Sequence, residues 1–139
     1  MAQPIMTGAV SHPLVQAIIT YQQAMATGDF VAGRSVFRDD VIYVVPGTNL
    51  FSGTYRGPDA VMGYFGKLMG ETGGSYAIDA MQWLVCGDKV LLETKNSATR
   101  AGTSLAWDEA ILFVFVDGKK ARIDLFQADQ AAVDAFFAA

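Results

Sequence analysis

The chain has one cysteine, one histidine and four prolines in 139 residues, and each scarcity removes a class of function. With Cys86 alone there is no disulfide framework and no thiolate cluster, which fits a reducing compartment. With His12 the only histidine, a zinc site is not expected, and no metal is. Charge is also sparse: charged residues make up 17%, and only ten are Lys or Arg against fourteen Asp and Glu, giving a net charge of −4 and a pI near 4.7. Phosphate binding needs clustered cations, so no nucleic-acid partner is expected. Long apolar runs are missing as well. The longest, Ala110 to Val116, falls far below the roughly 18 residues of a membrane span, and residues 1–8 lack the basic start and apolar centre of a signal peptide. No membrane partner and a cytoplasmic location are therefore expected. Neither a GxGxxG pattern nor a Lys-bearing phosphate loop is present, so the glycines around residues 53–57 call for no nucleotide, and no cofactor is expected.

What is abundant is apolar: 52% of the chain is hydrophobic. That suffices for one domain with a real core. The stretch from Ala24 to Gly47 organises it. Gly28 supplies a left-handed helix end, Asp29 caps a second short helix, and Asp39-Asp40 stop that helix. The β-branched and aromatic run Val41 to Val45 then reads as a strand closed by Pro46-Gly47.

Upstream, residues 1–11 show no periodicity and predict a flexible arm, leaving residues 12–139 as the domain. Ser11 or His12 caps a first helix with Pro13 at its first turn, and Val15, Ile18, Ile19 and Met25 recur at helical spacing. At that position His12 reads as a helix-start residue rather than a ligand. A third helix starts at Pro58 with Val61, Phe65 and Leu68 on one face. From Ser75 four long strands follow: 75–86, 89–99, 103–116 and 119–127, joined by short turns that make them antiparallel neighbours. A last helix is capped by Asp129.

The runs AtGDF, vFrDDViYvvPG and GtYrGpdAVmgyFgkL carry a resemblance. Over roughly residues 12–137 the chain resembles the SnoaL-like branch of the ketosteroid-isomerase and nuclear-transport-factor-like superfamily. The resemblance implies an α+β fold: a conical domain with a strongly curved, mostly antiparallel sheet and helices closing its concave side. It also implies a cavity that relatives use for isomerisation, ring closure, dehydration or epoxide opening. Ketosteroid isomerases use a proton-moving base with a tyrosine and a protonated aspartate as donors. Their donor tyrosine falls on Tyr21, but the base aspartate falls on Val45 and the donor aspartate on Ile111. The histidine of many SnoaL-like relatives falls on Val44.

Strand alternation assigns the interior. In the strand 103–116, Trp107, Glu109, Ile111, Phe113 and Phe115 share a bulky inner face, and Ala110, Leu112, Val114 and Val116 an outer one. A three-residue loop at 116–118 would pair Ile111 with Ile123 and Glu109 with Leu125, placing Ala121, Ile123 and Leu125 inside. A two-residue Asp-Gly turn would invert the strand and push Arg122 inward. The turn at Arg100-Ala101-Gly102 leaves open whether Thr94 and Asn96 or Glu93 and Lys95 face in.

The candidate catalytic residues are Glu109, as a carboxylate whose pKa burial would raise, and Tyr21, as its donor. Candidate ligand contacts are Tyr43, Val45, Tyr64, Phe65, Trp83, Trp107 and Ile111, although these side chains would equally serve as core. Glu109 could instead sit at the cavity mouth paired with a cation. Two functions stand: an isomerase- or cyclase-type enzyme acting by acid–base chemistry on a small apolar molecule, and a non-catalytic domain that sequesters one. The apolar outer sheet face predicts a homodimer.

Overall fold

The computed structural model describes residues 3–139. In chain order the elements are β1 (Ile5–Gly8), α1 (Pro13–Thr27), α2 (Phe30–Arg34), β2 (Phe37–Val45), β3 (Gly53–Arg56), α3 (Pro58–Glu71), β4 (Ala77–Cys86), β5 (Lys89–Arg100), β6 (Thr103–Val116), β7 (Lys119–Gln127) and α4 (Gln130–Phe136). All strands join one sheet in the order β1-β4-β5-β6-β7-β2-β3. Pairing is antiparallel except for β1 beside β4 and β2 beside β7. The fold is the expected α+β type, with the helices on the inner face of a mostly antiparallel sheet.

The local signals for α1 and α2 hold. His12 caps α1 by accepting the Leu14 amide on Nδ1 at 3.1 Å, and Pro13 opens the helix. Gly28 ends it at φ 77°, and Asp29 starts α2 by accepting the Ala32 amide at 3.1 Å. The stop for α2 differs. It ends at Arg34, and β2 begins at Phe37, so Asp39 and Asp40 lie within a strand rather than at a helix terminus. Phe37 is 3% exposed and pairs with Lys120, and a register shift between Phe37 and Ile42 carries the two exposed aspartates past the ladder. Burial of that ring outweighs the local preference of the aspartates for a turn.

The N-terminal segment also departs from expectation. Residues 5–8, read as part of a loose arm, add a parallel edge strand to β4, with Ile5 opposite Ala80 and Gly8 opposite Trp83. Gly8 ends the strand at φ 87°, and a β-carbon there would collide with the carbonyl oxygen of Trp83. Edge pairing of this kind uses backbone groups, so it leaves no hydrophobic period to read.

The turn between β6 and β7 is the decisive correction. It is the two-residue Asp117-Gly118 type, with φ 52° and 76°, and Val116 faces Lys119 directly. Inversion of the whole strand is avoided by a bulge between Val114 and Phe115, which inserts one extra residue into β7. Beyond it Phe113 faces Ile123, Ile111 faces Leu125 and Glu109 faces Gln127. Ile123 and Leu125 therefore point inward and Arg122 outward as expected, but Lys120 rather than Ala121 occupies the inner position. The β5–β6 turn is likewise two residues long, Ala101-Gly102, which settles the open register: Thr94 and Asn96 are 3% and 1% exposed, while Glu93 and Lys95 face solvent.

Val15 and Ile18 of α1, Val41 of β2, Trp83 of β4 and Val90 and Leu92 of β5 are buried together at the centre. Each such apolar side chain contributes about 1.5–3 kcal/mol of burial.

Candidate functional site

Register determines which inner side chains meet. Three cross-strand rows stack along the sheet: Asn96 with Trp107; then Met81, Thr94, Glu109 and Gln127; then Trp83, Leu92, Ile111 and Leu125. The last row is apolar, with Trp83 Nε1 buried and without a partner among the described residues. The middle row ends in a carboxyl group and a carboxamide.

These two open onto a cavity bounded by Val45, Tyr64, Tyr76, Trp107, Leu125 and Phe137 and roofed by α4. Its free volume is about 20 Å³, the room of one water molecule. Phe51 and Phe137 meet edge to face, with centroids 4.9 Å apart, and Trp107 packs on Phe137 at 5.9 Å. The roof is tied down at its polar edge. Asp134 accepts from the Thr48 amide at 3.1 Å and from Asn49 Nδ2 at 2.7 Å, the Leu50 amide donates to the Phe137 carbonyl at 3.1 Å, and Arg100 donates to the Phe136 carbonyl at 2.9 Å.

Glu109 is held from one side only. Its Oε1 accepts from Trp107 Nε1 at 2.8 Å and from Gln127 Nε2 at 3.1 Å. Burial pushes the Glu109 carboxyl above the ordinary glutamate value, and the two hydrogen bonds pull it partly back. Gln127 Oε1 is buried with no partner among the described residues, so the cavity presents an unused acceptor beside the carboxyl group.

Three phenols surround this centre. Tyr43 and Tyr64 meet edge to face at 4.9 Å, and Tyr76 donates to Asn96 Oδ1 at 2.9 Å while Asn96 donates to Thr94 Oγ1 at 2.8 Å. Burial raises the pKa of all three above the ordinary tyrosine value, with the nearby Glu109 charge adding to it. They are neutral hydroxyls across the physiological range.

Of the candidates, Glu109, Trp107, Tyr64 and Val45 line the cavity, and Tyr43 stands behind Tyr64. Trp83 and Ile111 belong to the apolar row beneath. Phe65 turns the other way, into an outer groove with Met25, Met62 and Met69. The expected pairing of Tyr21 with Glu109 is not formed. Tyr21 packs edge-on to Phe37 at 5.1 Å and over Lys120, and burial alone raises its pKa to about 12, with no contribution from Glu109. The third turn of an α1 started at Pro13 reaches a different part of the interior. Tyr76, Gln127 and the roof residue Phe137 were not anticipated; the pairing of Gln127 with Glu109 follows once the bulge is known. Among the described residues no group of three or more His, Cys, Asp or Glu could hold a metal ion, and no helix is long and apolar enough to cross a membrane.

The comparisons agree with this architecture. The uncharacterized protein Rv0034 of Mycobacterium tuberculosis is 33% identical over 116 residues, covering 83% of this chain and 88% of that protein. A Xanthomonas campestris protein of unknown function with a cystatin-like fold superposes with a TM-score of 0.79 at 33% identity, covering 91% of this chain and 98% of the other. TerC, crystallised with polyporic acid, superposes at 0.76 with 21% identity, covering 91% of this chain and 98% of its own. The family model of the SnoaL-like domain matches residues 18–123, and the chain belongs to the SnoaL-like domain family.

Proposed function

We propose that the cavity beneath α4 is a small-molecule site of isomerase or cyclase type, in which Glu109 takes and returns a proton. One observation carries this reading: a carboxyl group with a raised pKa has one oxygen fixed by Trp107 and Gln127 while its other oxygen makes none of the side-chain hydrogen bonds among the described residues. A base so placed exchanges protons closer to neutrality than a solvated glutamate, and such help is typically worth about 10²–10⁴ in rate. Tyr64, which lines the cavity, takes the place of Tyr21 as the candidate donor to a developing oxyanion. The lining is aromatic and aliphatic apart from Glu109, Gln127 and Asn49, which suits a small, largely apolar molecule carrying one or two oxygens. The fold shared with TerC, which was crystallised with polyporic acid, is consistent with a ligand in such a cavity.

Anything larger than water needs the cavity to widen beyond its free volume of about 20 Å³. That tightness favours a second reading, a pocket that sequesters its ligand without altering it. The two separate in one experiment: wild type and Glu109→Gln are incubated with a panel of ketones, epoxides and polyketide-like esters. Turnover lost in Glu109→Gln with ligand affinity kept supports the enzyme. Full activity in that variant refutes the assignment, and binding without turnover by either protein supports sequestration.

We also infer a homodimer formed through the outer sheet face, where Leu84, Val116 and Phe126 are 44%, 40% and 54% exposed beside Leu91, Leu112 and Val114. A cytoplasmic setting fits the single unpaired Cys86.

A further inference from the structure

The carboxylate of Glu109 in the cavity beneath α4 has no cation to balance it. Glu109 joins none of the ion pairs among the described residues. Its titration is set by burial and by the bonds from Trp107 and Gln127, with no cationic side chain acting on it. Two cations border the roof, and both are engaged elsewhere. Lys67 Nζ donates to the Leu50 carbonyl at 2.9 Å, and Arg100 donates to Glu71 at 3.3 Å and to the Phe136 carbonyl at 2.9 Å. Buried charges are ordinarily paired, because a lone one loses its hydration and gains nothing in return.

The polar lining is also short of donors. Asn49 is used at both ends: its Nδ2 donates to Asp134 at 2.7 Å, and its Oδ1 accepts the Phe51 amide at 2.9 Å. The Trp107 indole N–H is spent on Glu109, and the Tyr76 hydroxyl hydrogen on Asn96. What remains is Gln127 Oε1, buried without a partner among the described residues, and the second oxygen of Glu109, with the Tyr64 hydroxyl as the one lining group that still has a hydrogen to give. Two free acceptors and a negative charge call for a positive group that carries several hydrogens.

The walls complete such a site. Tyr64, Phe51, Phe137, Trp107 and Tyr76 form an unbroken arc of rings, with successive centroids 5.5, 4.9, 5.9 and 6.0 Å apart. Aromatic faces attract a cation through the ring quadrupole, and more strongly where water is excluded. The free volume of about 20 Å³ suits one water molecule, and an ammonium head is of the same size.

We propose that this cavity binds the ammonium head of a small primary amine, paired with Glu109, bonded to Gln127 Oε1 and enclosed by the arc of rings. The inference rests on the cavity being the ligand site proposed above, and it names the polar group that the ligand brings to it. Within the pair one proton can pass from nitrogen to the free Glu109 oxygen. An N–H bond breaks, an O–H bond forms, and ammonium and carboxylate become neutral amine and carboxylic acid with no other reagent. That proton is then the one Glu109 takes and returns.

The test uses the full chain at pH 7 with carbon-13 in glutamate and nitrogen-15 in tryptophan. Methylammonium chloride, its neutral counterpart methanol, and sodium chloride are titrated in turn, and the Glu109 carboxyl and Trp107 indole N–H resonances are followed. Methylammonium should shift both saturably, with an affinity at least about tenfold above that of methanol, and sodium chloride should give no saturable shift. In Glu109→Gln the preference for methylammonium should vanish, read at the Trp107 indole, and in Gln127→Leu its affinity should fall several-fold. Methanol bound as tightly as methylammonium would overturn the cation and leave the cavity standing as a ligand site. Equal shifts by sodium and methylammonium would mean charge screening and overturn it too, and a preference that survives in Glu109→Gln would overturn the pairing. No saturable shift by either organic probe would count against the cavity itself as a ligand site and overturn the proposal with it.

Discussion

The indole Nε1 of Trp107 donates a 2.8 Å hydrogen bond to Oε1 of Glu109, two residues along the same strand and on the same face. The bond holds the carboxyl in one orientation and favours its ionised form against the burial that disfavours it. Trp107→Phe keeps an aromatic ring and removes the donor. The Glu109 pKa should then rise further, since the hydrogen bond that lowers it is gone. A pH titration of the carboxyl resonance in the two proteins checks this, and a fall would show that the bond does not stabilise the anion.

Asp134 fastens the roof. It accepts from Thr48, Asn49 and Gln130, and these donors hold its carboxyl below the usual aspartate range. A depressed folded-state pKa means that the fastening is present above the ordinary aspartate value near 3.8 and is lost as pH falls through the lower folded value. Asp134→Ala should speed hydrogen exchange in α4 and in the Pro46–Ser52 loop at neutral pH and leave β4 and β5 unchanged. It should also speed uptake of a hydrophobic fluorescent probe. Unchanged exchange in α4 would show that the apolar contacts alone hold the roof.

Lys120 makes a signed prediction about stability. Its folded pKa of about 7 lies below the ordinary 10.5, so between those values the unfolded chain binds more protons and stability rises with pH on its account. Below pH 7 the burden is fully present. Lys120→Met should therefore be more stable than wild type by about 2 kcal/mol at pH 6, a net figure after the cation–π contacts are lost, and the gain should shrink toward pH 10. Urea melts at pH 6, 8 and 10 read this directly. A gain independent of pH would mean that the amine stays charged in the folded protein at all of them, its pKa not lowered by burial.

Leu112 sits mid-strand on the outer face between Leu91 and Asp124. Leu112→Lys should convert a dimer to monomers in sedimentation without loss of secondary structure. A wild type that sediments as a monomer at micromolar concentration would remove the dimer.

The sequence made the helix caps, the long strands and the two faces of β6 legible because each is written locally: Gly28 and Asp29 as a stop and a start, Thr103–Val116 as strict alternation. The site was half legible. Glu109, Trp107, Tyr64 and Val45 follow from face assignment alone. The failures share a cause in pairing between distant segments. The extra residue in β7 leaves no local mark, yet it puts Lys120 inside and sets Gln127 opposite Glu109. Tyr21 is assigned through its correspondence to the donor tyrosine of ketosteroid isomerases, which fixes its position on α1 but says nothing of what lies beneath it.

Proton exchange by Glu109 requires a desolvated carboxyl group in the closed cavity, and the titration midpoint of that group reads this directly. Carbon-13 labelling of glutamate gives a simple spectrum, since Glu71, Glu93 and Glu109 are the only glutamates, and Glu109→Gln assigns the resonance. A Glu109 midpoint clearly above the ordinary value of 4.5 is expected. A midpoint at or below 4.5 would contradict it.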